Sequence, residues 1–131
     1  MATLIESLSA LAIFAIGASA SATWLAQSTV RSSQASARVS ALAVATDMEA
    51  RLRANPRGVG AGDYQYAIPA AFDCSRACSP AEVAAVDLAA FGRDVKRAMG
   101  ERATGVVTCH GGVCLIRIIW PGGRLEWGMA P

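Results

Sequence analysis

A chain of 131 residues with 12 basic and 10 acidic side chains carries a net charge of +2 at pH 7. That balance is too mild for the clustered basic patch that nucleic-acid binding calls for. No basic–aromatic stripe appears either, so no nucleic-acid partner is expected. The length allows one compact domain, or a small domain with an appendage, and the 53% hydrophobic content is swollen by alanines and by the N-terminal segment.

The sequence opens MATLIESLSALAIFAIGASASATWLAQ, in which Glu6 is the sole charged residue before Arg31. Residues from about 2 to 26 are mostly Ala, Leu, Ile, Phe, Ser and Thr, and a bilayer core takes about 20 such residues as a helix. A cleaved signal peptide would have a basic n-region. None precedes this apolar run, and helical patterning continues past Trp24, so a retained helix is expected. A carboxylate at the bilayer centre costs roughly 3 kcal/mol, which makes Glu6 a functional candidate. The plainer reading is a helix-start residue whose charge favours the N-terminal dipole.

Thr3-Leu4-Ile5-Glu6, followed by Leu8 and Leu11-Ala12-Ile13-Phe14-Ala15-Ile16-Gly17, resembles the N-terminal signature of type IV pilins and pseudopilins. The resemblance implies that Glu6 pairs with the N-terminal ammonium of a neighbouring subunit, which relieves the penalty of a lone buried charge. It implies that Leu4, Ile5, Leu8 and Leu11 pack against other helices. It also implies a short basic leader ending in glycine, removed by a prepilin peptidase that then methylates the new N-terminus. Glu6 lies one position further from Met1 than the family's glutamate lies from the mature terminus. Either Ala2 is the mature first residue or the glutamate is offset. Arg31 and Arg38 follow the span with no basic residue before it, which by charge bias alone would put the C-terminal part in the cytoplasm. Paired cysteines favour the other side, and a removed basic leader reconciles the two.

From Gln27 to Ala54 the chain is polar but helix-friendly. Ala37, Ala41, Val44, Met48 and Leu52 fall on one helical face. Asp47 with Arg51 and Glu49 with Arg53 are acid-before-base pairs four apart. Asn55-Pro56 is expected to stop the helix. A helix from Thr3 to Ala54 would be about 78 Å long. Residues 57–76, with Gly58, Gly60, Gly62 and Pro69, read as a loop with a short extended piece around Tyr64 to Ile68.

Ser79-Pro80-Ala81-Glu82 places an N-cap serine, a first-turn proline and a capping-box glutamate in order. Val83, Val86, Ala90, Phe91, Val95 and Met99 are the expected apolar face, and Gly100 the stop. Gly105 to His110, Val113 to Trp120 and Arg124 to Met129 read as antiparallel strands. Turns are expected at His110-Gly111-Gly112-Val113 and Pro121-Gly122-Gly123. Leu125 and Trp127 share one face. Cys74, Cys78, Cys109 and Cys114 form two close pairs, which in a small domain read as two disulfides made in an oxidising compartment. The alternative is a zinc site with four thiolates, whose spacings are looser than most zinc motifs. His110 is the single histidine and sits in the hairpin turn. No nucleophile–base pair can be assembled, so no enzyme and no cofactor are expected.

Residues 43–56, Cys74-x3-Cys78-Ser79-Pro80-Ala81-Glu82 with Ala85 and Asp87-Leu88-Ala89, and the closing Ile118-Ile119-Trp120 resemble PilV-type minor pilins. That resemblance implies an α+β, type IV pilin-like fold: a long N-terminal helix, its first half transmembrane, packed on a small head with a second helix and a three-stranded antiparallel sheet. Residues 1–56 would be the helix and 57–131 the disulfide-bonded head. It implies a subunit that joins other minor pilins and the major pilin to prime type IV pilus assembly, and hence twitching motility. Such a subunit waits in the bacterial inner membrane with a periplasmic head, then moves to the pilus tip. The rival is a minor pseudopilin of a type II secretion system. An adhesive surface on the loops at 57–62 and 111–112 stays open.

Overall fold

The structure, a computed structural model, describes residues 3–65 and 77–130. It comprises α1 (Leu4–Ala54), α2 (Pro56–Ala61), a 3-10 turn (Asp63–Gln65), α3 (Pro80–Met99), β1 (Thr104–His110), β2 (Val113–Trp120) and β3 (Gly123–Met129). Two compact units divide the chain, Met1–Ala35 and Ser36–Pro131. The architecture is α+β, with one long N-terminal helix, further helical segments and an antiparallel sheet in the order β1-β2-β3.

In the second unit, α1 presents Ala41, Ala45, Met48 and Leu52 to the core, with Ala37 and Val44 packed alongside. This is the expected face with Ala45 added. Arg51 bonds Asp47 at 2.7 Å and Arg53 bonds Glu49 at 2.8 Å, one turn apart on the exposed side. The helix ends at Ala54, because Pro56 has no N–H to continue it and disfavours helical geometry at Asn55.

The stretch after Pro56 corrects the expected loop. Asn55 leaves α1 with φ −123° and becomes the N-cap of α2, its side chain accepting from Gly58 N–H at 3.2 Å. Pro56 then opens the new helix, where its missing N–H is harmless. Gly58 and Val59 are buried while Arg57, Gly60 and Ala61 stay exposed, so the stretch foreseen as a loop at 57–62 is a short helix with one side in the core. Only a glycine fits at 58, since a Cβ there would lie 2.5 Å from Asn55 Nδ2. Tyr64 belongs to the 3-10 turn and is buried, in place of the extended piece foreseen around it. The rest of that piece, with Pro69 and Cys74, lies outside the described residues.

At α3 the local signals agree with the structure. Ser79 Oγ accepts from Glu82 N–H at 3.3 Å, and Glu82 Oε2 accepts from Ser79 N–H at 2.7 Å. Gly100 ends the helix at φ +95°. The buried face is rotated from the one foreseen. Ala84, Phe91 and Val95 enter the core with Leu88 and Met99 beside them, while Val83, Val86 and Ala90 are only half-buried. Gly105 lets β1 approach this face of the helix closely. A Cβ on Gly105 would meet Phe91 Cε1 at 2.5 Å.

Both hairpin turns use two residues. Gly111 and Gly112, at φ +58° and +79°, give the positive-φ pair that matches the twist of the β1–β2 ribbon. Pro121-Gly122 joins β2 to β3. Cys109 pairs with Cys114 in register, and the two are joined by a disulfide with Cα atoms 4.1 Å apart. These two sulfurs are therefore not free thiolates for zinc. Cys78 is also disulfide-bonded, and the expected partner Cys74 lies outside the described residues. On the inner sheet face, Val107, Cys109, Cys114, Ile116, Ile118, Trp120 and Met129 complete the core. Leu125 and Trp127 flank it together, as foreseen.

Candidate assembly surface

Helix α1 is long and apolar enough to cross a membrane. Within the first unit its described residues are all exposed. Leu4 is 78% exposed, Ile5 77%, Leu8 61% and Leu11 68%, and Ile13, Phe14 and Ile16 are equally open. A helix that is apolar all round and uncovered by its own chain needs lipid or other helices around it.

Glu6 starts this helix as the third residue after its cap. Its Oε2 accepts from Thr3 N–H at 2.8 Å and from Thr3 Oγ1–H at 3.1 Å. This is the reach-back half of a capping box, and it satisfies one of the four donors a helix N-terminus leaves unpaired. Oε1 has no bond among the described residues. At 100° per residue, Leu4, Leu8 and Leu11 form one stripe. Glu6 projects from the far side, on the row of Ala10, Ile13 and Gly17, and Ile5 lies between. The candidate residues therefore share the first turns of α1 but not one face. A single neighbour could not engage them all.

Four hydroxyls of this segment turn inward. Ser9 Oγ donates to Ile5 O at 2.6 Å, Ser21 Oγ to Gly17 O at 2.9 Å, Ser19 Oγ to Ile16 O at 2.9 Å and Thr23 Oγ1 to Ala20 O at 2.9 Å. Each hydroxyl is bonded within its own helix, so it brings no unpaired donor into hydrocarbon.

In the head, a polar cluster absent from the sequence reading joins three helical segments. Tyr64 Oη–H donates to Asp87 Oδ2 at 2.8 Å, and Asn55 Nδ2 donates to Tyr64 Oη at 3.2 Å and to Pro80 O at 2.8 Å. Arg51 reaches Asp87 Oδ1 at 3.4 Å. Burial, then the bond to Asp87, pushes the Tyr64 hydroxyl well above its ordinary value. The signal in the sequence was Asp87 between Val86 and Leu88, a carboxylate interrupting an apolar run.

A hollow of about 630 Å³ lies between α2 and the β1–β2 turn, lined by Val59, Gln65, His110 and several glycines. Gln65 Nε2 donates to Cys109 O at its edge. Among the described residues that line it, His110 is the one titratable side chain, and no carboxylate stands with it. Among the described residues no group of three His, Cys, Asp or Glu side chains converges as a metal site. Comparison with models of protein families, with curated proteins and with solved structures gives no match.

Proposed function

We propose that this chain is a minor pilin of the PilV type, held in the bacterial inner membrane by the first half of α1 and drawn from there into a type IV pilus. The observation that carries the reading is the N-terminal half of α1: an exposed apolar helix whose single carboxylate has one oxygen bonded to its own cap and the other without a bond among the described residues. A neighbour's ammonium fits that second oxygen. Pairing there offsets the cost of keeping a charge near lipid, so assembly is favoured over the lone inserted subunit. The stripe of Leu4, Leu8 and Leu11 gives a second contact on the opposite side. The head, closed by its disulfides, supplies the surface that meets other minor pilins, and prepilin peptidase would generate the mature terminus.

Glu6→Ala in the native host tests this. Surface pili should fall by an order of magnitude while the chain stays in the membrane fraction. Normal piliation would overturn the pairing role. Normal piliation with lost protein secretion would move the chain to the minor pseudopilins of a type II secretion system.

A further inference from the structure

Trp24, Gln27, Ser28 and Arg31 recur at i, i+3, i+4 and i+7 on α1 and share one exposed face. They line a shallow notch of about 140 Å³. Arg31 is the first charged residue after Glu6 and has no ion pair among the described residues. The face is continuous with the apolar span and closes its C-terminal end. An indole belongs at the boundary between hydrocarbon and headgroups, and an arginine beyond it reaches the phosphate level. The direction is favourable, because helical side chains tilt toward the helix N-terminus, here toward the bilayer. Arg31 lies seven residues beyond Trp24, about 10 Å along the axis, and its stem leads back toward Ser28 and Gln27.

We infer that the Trp24–Arg31 face seats an anionic lipid phosphate headgroup and so fixes the depth of the span. The inference rests on the membrane reading given under Proposed function. It has a consequence for Glu6, which lies eighteen residues before Trp24. At 1.5 Å per residue that is about 27 Å, against a hydrocarbon core of about 30 Å. With Trp24 held at one boundary, the carboxylate comes to rest at the other, within reach of headgroups and water. The cost that pairing has to offset at Glu6 is then set from the opposite end of the span.

The test uses the full chain in vesicles of phosphatidylcholine with phosphatidylglycerol. Recoupling between the arginine guanidinium carbon and lipid phosphorus should give a contact in the native chain that is lost in Arg31→Gln. A fluorophore on Ser7→Cys should be quenched most by lipids spin-labelled near the headgroup. In the Trp24→Ala, Arg31→Gln double variant, quenching should shift toward lipids labelled at the chain end. An arginine–phosphorus contact that survives Arg31→Gln overturns the seat. So does a probe at position 7 that the double variant leaves unmoved, or one that chain-end labels quench best in the otherwise native chain. Release of the native chain by alkaline carbonate overturns the membrane reading itself. Retention with any of these three negative results overturns only the inference.

Discussion

The Glu49 carboxylate accepts from Trp127 Nε1 at 2.6 Å with one oxygen and from the Arg53 guanidinium at 2.8 Å with the other. The indole bond, then the guanidinium bond, hold it below its ordinary value of 4.5. A carboxylate depressed in the folded state contributes stability that is full above the unfolded value and is lost as pH falls through the folded one. The melting temperature of the native chain should therefore fall more between about pH 6 and about pH 3 than that of Glu49→Gln. Asp87 is the second informative residue. Asp87→Ala leaves the Tyr64 hydroxyl without its acceptor and Arg51 with Asp47 alone, and should cost about 2 kcal/mol in urea unfolding, whereas Tyr64→Phe should cost about 1 kcal/mol. Neither residue's role was legible in the sequence. The indole–carboxylate bond joins positions 49 and 127, and the hydroxyl–carboxylate bond joins 64 and 87, so both exist only once the chain has folded.

Elements whose signals are local were legible nearly to the residue. Helix α3 carries its cap, its first-turn proline and its terminal glycine in the sequence, and the strands are bounded by glycine turns with positive φ. Helix α2 was not legible, since Pro-Arg-Gly-Val-Gly-Ala has poor helix propensity. It forms because Asn55 caps it and because Val59 is buried. The rotated face of α3 has a related cause. Counting large apolar side chains favoured Val83 and Val86, but the buried side is the one with Ala84, Phe91 and Val95, and Gly105 on β1 sits against the last two. Gly105→Ala should thus destabilise the head by about 2 kcal/mol, read from urea unfolding, because its Cβ would overlap the Phe91 ring.

Across the whole molecule, no described residue before Ala37 packs on the core. A fragment of residues 36–131 should therefore remain soluble without detergent and melt within a few degrees of the full chain in detergent, as judged by circular dichroism. Aggregation of that fragment would show that the head depends on the preceding residues for more than attachment. The first unit reads differently. Its length and apolarity were plain in the sequence, and so was the isolation of Glu6. The bond of Glu6 back to Thr3 was available as a Thr-x-x-Glu pattern of the same kind as Ser79-x-x-Glu82.

The inward-turned hydroxyls of Ser9, Ser19, Ser21 and Thr23 leave the middle of the span without a polar feature to orient it. A neighbouring helix meets contour alone there, and contour of small alternating residues distinguishes one azimuth weakly from the next. On the proposed reading, angular alignment would come from the extremities: Glu6 at one, the indole and guanidinium at the other. Such a shaft would spin and slide along its axis in lipid and lock once its ends were engaged.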